Sequence, residues 1–284
     1  MSPSPEIRSH DVSGVPLVKA LWEALFDHHV AIGAAGLQTI PREASWPRRR
    51  KHYEMLFSGA PNTELWLAVL DDEPVGYALA YEGLLDGRRA MTLETLSVLP
   101  SARGFGIGTC LMRSVDRAAG DAGIGLGVVD VMGGNPRARE LYSRYGYAPY
   151  SEAWMRSTPP ARASPESTRA DAVDRGRCAE MVGALGLSLS VSPDPDDTWE
   201  SADEIVELSF VRSADAAQAE TPPVGATACS TSPAMLSECF SELTASGLRT
   251  IQFEIPADPG ESELRTFLLS QGFRLSTERL LRQL

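Results

Sequence analysis

The hexapeptide Arg103–Gly108, RGFGIG, is the feature that most limits the folds open to this chain of 284 residues. It stands between an apolar, strand-like run that ends near Val98 and a helical pattern. In that pattern Ile107, Leu111, Val115 and Ala118 recur at spacings of four and three. Glycine sacrifices backbone entropy in a helix, so three glycines at a helix start need another reason. Glycine also lets the backbone approach a ligand closely, and a helix N-terminus offers unpaired N–H groups. The turn therefore predicts a phosphate-binding site or, alternatively, a plain connection between a strand and a helix.

The composition is typical of a globular protein, with 43% hydrophobic residues. The N-terminal sequence has no signal-peptide pattern, and no run of about 18 apolar residues indicates a membrane span. The four cysteines are scattered without the spacing of metal ligands and are typical of free thiols in a reducing compartment. We therefore expect a cytoplasmic protein with no metal site and no membrane partner, and the composition leaves its oligomeric state open.

The net charge of −12 is concentrated in the second half of the chain. Residues 1–158 carry 16 basic and 18 acidic side chains, whereas residues 159–284 carry 10 basic and 20 acidic side chains. Because nucleic acids are polyanions, an acidic chain is expected to have no nucleic-acid partner. The one basic cluster, residues 48–51, is interpreted as a solvated helix face.

Apolar periodicity divides the first half into alternating helices and strands. Two helices are predicted first, followed by strands over Leu65–Leu70, Val75–Tyr81 and Ala90–Val98. The glycine turn and its helix follow these strands. The last predicted elements are a strand at Gly125–Met132, a helix at Asn135–Tyr145 and a strand at Tyr147–Met155. A hairpin followed by alternating strands and helices predicts an α/β fold with a mixed sheet. Residues 158–168, rich in Pro, Ser and Ala, predict a linker.

The order of these elements argues against a dinucleotide-binding fold. In that fold the glycines lie in the first strand–helix turn of the chain, with an acidic residue about 20 positions further on. Here the glycines follow several elements, and their spacing, R-x-x-G-x-G, differs from G-x-G-x-x-G. Asp121 and Asp130 follow the glycines but do not restore the order.

Two motifs in the first half carry a family resemblance. The first is a strand ending near V-x-P and followed by R-G-x-G-I-G, which Val98, Pro100 and Arg103–Gly108 match. The second is N-x-x-A-x-x-L-Y-x-x-x-G-F/Y, matched by Asn135, Ala138, Leu141, Tyr142, Gly146 and Tyr147. Together they resemble the GNAT superfamily of acyl-CoA-dependent N-acyltransferases. The resemblance covers residues 1–157 and implies a GNAT fold with acetyl-CoA as cosubstrate.

The resemblance also implies where the cosubstrate binds. The strand Glu94–Val98 would splay from Val128–Met132, and the pantetheine arm would lie in the gap like an added strand. The pyrophosphate would lie on the glycine turn at the helix start. The implied contact residues are Leu96, Ser97, Val98, Arg103, Gly104, Phe105, Gly106, Ile107, Gly108, Thr109, Asn135 and Ala138.

Acyl transfer to an amine needs a neutral amine, a stabilised oxyanion and a proton for the leaving thiolate. The resemblance implies the Val98 N–H as oxyanion donor, Tyr142 as general acid and Glu94 as general base acting through water. Tyr142 has the alternative of a packing aromatic, and Glu94 that of a paired strand residue. Weaker candidates for the base are Asp130, Glu82, His28 and His29.

The second half shows a fainter similarity to the first. A shift of 126 positions lays Gly272 and Phe273 on Gly146 and Tyr147. The same shift lays Glu261, Leu264 and Leu268 on Asn135, Ala138 and Tyr142, and R-x-x-G-x-G occurs nowhere after residue 158. We therefore interpret residues 169–284 as a degenerate, shortened GNAT-like unit without a phosphate-binding turn, in tandem with a complete catalytic unit at 1–157; a chance similarity is the alternative.

The sequence therefore predicts an acyltransferase that moves an acetyl group from acetyl-CoA to a primary amine of a small acceptor. A longer acyl donor is an alternative within the same class. A regulatory protein that binds acyl-CoA without turnover is the alternative from another class.

Overall fold

The computed structural model describes residues 5–32, 41–157, 187–191, 205–210, 233–245 and 250–284. The predicted linker, residues 158–168, lies outside the described residues.

The described residues form ten strands and six α-helices. The first half contains β1 (Glu6–His10), α1 (Lys19–Ala31), α2 (Arg42–Gly59), β2 (Glu64–Leu70), β3 (Glu73–Leu85), β4 (Arg88–Val98), α3 (Ile107–Asp121), β5 (Leu126–Met132), α4 (Pro136–Arg144) and β6 (Ala148–Ser157). The second half contains β7 (Leu187–Val191), β8 (Ile205–Phe210), α5 (Pro233–Ala245), β9 (Thr250–Pro256), α6 (Ser262–Ser270) and β10 (Arg274–Gln283).

All ten strands belong to one mixed sheet, in the order β1-β2-β3-β4-β5-β10-β6-β9-β8-β7. The pairs β4–β5 and β8–β9 are parallel, and the other neighbouring strands are antiparallel. The predicted α/β fold with a mixed sheet is confirmed.

Strict alternation along the strands gives the sheet two buried faces in the first half. On β2, Leu65 and Leu67 join a core with Trp22 of α1, whereas Trp66 and Ala68 join a core with α3. Successive side chains of a strand point to opposite faces, so α1 and α2 cover one face and α3 covers the other. A separate core in the second half unites α5, β9 and α6.

The strand β10 joins the two halves of the chain. It lies between β5 and β6 and is antiparallel to both. Its Leu280 is buried in the core that contains Tyr142 and Tyr147. The sheet therefore crosses the predicted boundary at residue 157, and the division into units at 1–157 and 169–284 stays a prediction.

Residues of β10 also contact the turn that precedes α4. The Gly133 N–H donates to the Ser276 carbonyl at 2.5 Å. A Cβ at Gly133 would lie 2.1 Å from the Leu275 carbonyl oxygen, so only glycine permits this approach. Residues near the end of the chain thus fix the turn that leads into Asn135.

No helix among the described residues combines the length and the apolar character needed to cross a membrane.

Candidate active site

The glycine turn enters α3 in a conformation that glycine accepts readily. Gly104 has φ of 89° and Gly106 has φ of 76°, and a Cβ at either position would meet no heavy atom within 4 Å. The glycines are therefore required by the backbone and not by crowding. Gly106 is the N-cap of α3 and supplies no side-chain cap, so the first N–H groups of the helix stay available for an anion.

Basic side chains lie beside this turn. The Arg103 side chain folds back, and its Nε donates to the Val98 carbonyl at 3.0 Å. Burial and the neighbouring charge of Arg137 lower the pKa of Arg103. Burial, together with Arg103, His29 and Arg137, also lowers the pKa of His28 at the end of α1. An anion at this turn would therefore relieve a repulsion among cations.

A β-bulge at Glu94 opens β4 away from β5. Thr95 pairs with Leu79 of β3, but Leu93 pairs with Ala80, so Glu94 is the extra residue. The parallel pairing of β4 with β5 begins at Met91 and ends at Leu93, directly before the bulge. Bulges bend a strand and end its pairing, so Glu94–Val98 separates from the end of β5. We call this opening the strand gap.

Main-chain groups of β4 point into the strand gap. The Leu99 N–H donates to the Val75 carbonyl at 2.9 Å, which makes these two residues a hydrogen-bonded pair of the β3–β4 ladder. Because such pairs alternate in an antiparallel ladder, Leu96 and Val98 direct their N–H and C=O groups away from β3. Ser97 is not brought to the gap; its Oγ donates to the Leu21 carbonyl of α1 at 3.4 Å.

The second motif reaches the same region from α4. The core that contains Tyr142 is also packed by Ala138, Leu96, Val98 and Ile107. Four of the twelve predicted cosubstrate residues therefore pack around one region. The sequence motifs lie far apart along the chain, and the sheet brings them together.

Asn135 and Tyr142 have different surroundings. Asn135 caps α4, where its Oδ1 accepts from the Ala138 N–H at 3.2 Å. Tyr142 is only 6% exposed, and its ring meets that of Tyr147 edge-on at 5.8 Å. Burial, with a smaller contribution from Tyr147, raises the pKa of Tyr142 well above its ordinary value near 10. The phenol is therefore neutral throughout the working pH range.

Glu94 is an ion-paired carboxylate. Its Oε1 accepts from Arg49 at 2.5 Å and lies 3.0 Å from Nε2 of His52. Burial opposes ionisation, but the hydrogen bond with His52 and the charge of Arg49 outweigh it and lower the pKa of Glu94 to about 2. Glu94 is consequently an anion at neutral pH and a weak proton acceptor.

Asp130 and Glu82, two of the weaker candidates for the base, also form ion pairs. Asp130 forms a two-pronged ion pair with Arg279 of β10, both distances being 2.8 Å. Glu82 binds Arg89 and Asn62, and these hydrogen bonds lower the pKa of Glu82 to about 2. Glu82 therefore does not resemble a base that titrates near neutral pH.

Sequence reasoning missed two residues of this site, Arg49 and His52. The basic cluster at 48–51 was interpreted as a solvated face, and for Arg49 that interpretation is wrong because this residue is only 4% exposed. The available signal was helical spacing, since Trp46, Arg49 and Tyr53 lie three and four residues apart and all are buried. Glu94, the partner of Arg49 and His52, lies on β4, and residue spacing within α2 could not reveal this contact.

Residues 20–147 match the family model described as the Acetyltransferase (GNAT) family. These residues form a GNAT acetyltransferase domain. The domain is therefore that of an acyltransferase. Comparison with curated protein sequences gives no significant match.

Two solved structures that cover nearly the whole chain share its fold, and a third is similar to about half of it. A GCN5-related N-acetyltransferase from Sphaerobacter thermophilus is similar with a TM-score of 0.50 and 15% identity, covering 98% of this chain and 95% of that one. A GCN5-related glucosamine N-acetyltransferase region of a fungal multi-domain beta-N-acetylglucosaminidase has a TM-score of 0.50 and 9% identity, covering 99% of this chain and 38% of that one. The PaiA N-acetyltransferase of Thermoplasma acidophilum, in complex with coenzyme A, has a TM-score of 0.42 and 14% identity, covering 51% of this chain and 91% of that one.

Proposed function

We propose that the protein transfers an acetyl group from acetyl-CoA to the primary amine of a small acceptor by direct attack of the amine on the thioester. The observation that carries this proposal is the strand gap, which opens at the bulge of Glu94 and leads to the glycine turn of α3. The strand gap offers two main-chain positions, Leu96 and Val98, to an extended, peptide-like arm. The anion site begins at one end of this gap.

The proposed binding of acetyl-CoA follows from these groups. The pantetheine arm pairs with Leu96 and Val98 as an added strand would. The pyrophosphate lies against the N–H groups from Arg103 to Thr109, where Arg103 and Arg137 supply positive charge. Asn135 and Ala138, at the start of α4, border the arm on its other side.

The proposed chemistry has three parts. The Val98 N–H, which points into the strand gap, stabilises the oxyanion of the tetrahedral intermediate. Tyr142 assists the departing thiolate; because its pKa is raised well above 10, it acts mainly by donating a hydrogen bond to sulfur. Glu94 supplies the negative charge of the system that removes the proton of the amine.

The test uses thiol release from acetyl-CoA with a panel of primary amines. Tyr142→Phe keeps the ring but removes the donor, so kcat should fall by one to three decades while acetyl-CoA affinity changes little. Tyr150→Phe, which removes a hydroxyl bonded to exposed Asp86, is the matched control and should behave as the parent does.

Other outcomes would point to other functions. Turnover of Tyr142→Phe at the parent rate would make Tyr142 a packing residue. Faster turnover of longer acyl-CoA thioesters would change the donor. Tight acetyl-CoA binding without turnover with any amine would favour an acyl-CoA-binding regulatory protein.

A further inference from the structure

His52 of α2 and Arg49 both interact with the carboxylate of Glu94 at the bulge of β4. His52 lies on the side of the sheet covered by α1 and α2, and its side chain is 34% exposed. Glu94 and Arg49, its neighbours, are 18% and 5% exposed. The imidazole is thus the member of this cluster that solvent reaches most easily.

We infer that His52 is the catalytic base of the transfer, and that Glu94 is a positioning residue that holds the imidazole by its Nε2 atom. This inference rests on the proposed function, because it assigns the proton of the acceptor amine to a particular group. It replaces the predicted role of Glu94, a base acting through water, with a dyad of Glu94 and His52.

The geometry fixes the form of the imidazole. Its Nε2 lies 3.0 Å from Oε1 of Glu94, and an ionised carboxylate can only accept a hydrogen bond. Nε2 therefore carries the hydrogen, and in the neutral ring Nδ1 keeps its lone pair. Orientation of one ring nitrogen by a carboxylate leaves the other free to accept a proton, as in other base–orienter pairs.

Glu94 is less suited to be the base itself. Arg49 and His52 both bind Oε1, and they hold the pKa of the carboxyl at about 2. Such a carboxylate gains little by accepting a proton from an ammonium group. Its negative charge instead favours the imidazolium that forms on His52.

Other charged and titratable groups border this side of the sheet. Tyr53 bonds to Tyr77 and Thr95, which ties α2 to β3 and β4. Tyr81 of β3 interacts with Glu94, Asp130 and Arg279, so the charged positions continue from β4 across β5 to β10. Arg49, Tyr53 and Tyr81 interact with Glu94 of the dyad, and Tyr77, Asp130 and Arg279 interact in turn with those three residues.

The proton balance of the step is simple. An acceptor R–NH3+ gives one proton to Nδ1 of His52 and becomes the neutral nucleophile. The nitrogen then forms the C–N bond, the C–S bond breaks, and the second nitrogen proton neutralises the thiolate to yield CoA–SH. His52 returns its proton to solvent, so one proton is released for each amide formed.

Nuclear magnetic resonance tests the tautomer without knowledge of the acceptor. Long-range 1H–15N spectra of the parent resolve the four imidazoles, and His52→Gln identifies the signal of residue 52. We expect the neutral Nε2–H form at His52. A neutral Nδ1–H form would overturn the inference, because Nδ1 would then have no lone pair for the amine.

Kinetics with the amine that gives the fastest thiol release test the role of the base. His52→Gln should lower kcat/KM by about 10²- to 10⁴-fold, remove the acid limb of the pH profile and leave acetyl-CoA affinity unchanged. His10→Gln, at the far edge of the sheet, is the control with parent activity. Added imidazole should restore part of the rate to His52→Ala, whose site is open to solvent.

The two proposals fail in different ways. Parent-like kcat/KM and an intact acid limb in His52→Gln would overturn the dyad and leave the proposed function standing. If the parent releases no thiol with any amine, the proposed function fails, and the tautomer of His52 still decides the geometry of the dyad.

Discussion

The helix–strand unit α4–β6 in the first half and the unit α6–β10 in the second half correspond at a constant offset of 126 residues. Pro136–Arg144 corresponds to Ser262–Ser270, and Ala148–Ser157 corresponds to Arg274–Gln283. Even the turns agree, with φ of 83° at Gly146 and 82° at Gly272. The two units therefore share one backbone plan.

The two units also exchange contacts reciprocally. Arg282 of β10 donates to the Tyr145 carbonyl at 3.1 Å, and Arg156 of β6 donates to the Gln271 carbonyl at 3.2 Å. Arg139 pairs with Glu278, and Arg265 pairs with Glu152. In every pair the partners come from different halves and the offset is again 126. These contacts support the interpretation of the second half as a degenerate unit in tandem with the first, which stays a prediction.

The halves differ at the proposed cosubstrate site of the first half. In the first half the parallel pair β4–β5 ends at the bulge of Glu94. In the second half β8 and β9 stay paired from Ile205 to Ser209, which leaves no corresponding gap in the described residues. Leu268 stands in the place of Tyr142. One backbone plan therefore occurs twice, and among the described residues only the first half combines it with a strand gap and a buried tyrosine.

The largest expected effect comes from removing the second half altogether. A protein of residues 1–157 would leave the facing edges of β5 and β6 unpaired and would expose the core that Leu280 covers. We expect loss of the cooperative thermal transition and aggregation on size-exclusion chromatography. A monomeric fragment that melts cooperatively and binds acetyl-CoA would show that the halves are independent.

The second-largest effect is expected from a glutamate substitution in the glycine turn, compared with the same substitution at a glycine of positive φ outside the turn. Gly106→Glu should weaken acetyl-CoA binding about 100-fold or more, because a carboxylate would replace an anion held by charge-assisted hydrogen bonds. Gly123→Glu is the matched control, since Gly123 has φ of 65°, lies at the other end of α3 and has no heavy atom near its Cβ position. Calorimetry that finds equal affinities for both variants would contradict a binding role for the turn.

A smaller effect is expected from the two exchanged arginines. Arg282 binds the carboxylate of Asp116, so Arg282→Met should lower the free energy of unfolding by about 2 kcal/mol. Arg156 has no carboxylate partner among the described residues, and burial lowers its pKa. Arg156→Met should therefore change stability by less than about 1 kcal/mol, because it also removes a desolvated charge. Urea denaturation measures both, and equal losses would show that Asp116 contributes little.

The smallest expected effect concerns the acids at the centre of the exchange, Glu278 and Glu152. Burial raises the pKa of Glu278, with Arg139 opposing the shift. Because the folded state has the higher pKa, the contribution of Glu278 to stability is fully present at low pH and is lost as the pH rises above the ordinary value near 4.3. Glu278→Gln should remove this slope.

The measurement for Glu278 is the difference in unfolding free energy between parent and variant from pH 3.5 to 7. We expect a difference within about 1 kcal/mol that shifts in favour of the glutamine as the pH rises. A difference that shifts in favour of the parent instead would mean that Arg139 dominates.

The sequence alone determined the local features of this protein. Apolar alternation located the strand Ala90–Val98, which the structure extends to Arg88, and the helix after the glycine turn. The repeated G-F/Y ending revealed the 126-residue offset that the structure reproduces at Gly146 and Gly272. These features are readable because a turn, a helix face or a strand face is specified by residues close together in the chain.

Only the tertiary structure decided which strands are neighbours and which charges meet. The position of β10 between β5 and β6 depends on pairings across more than a hundred residues, which no local pattern encodes. The sequence left open whether Glu94 is a base or a paired strand residue, and Arg49 and His52 of α2 determine its ionisation. A pKa depends on the charges and the burial around a group in space, and both arise only when distant elements pack together.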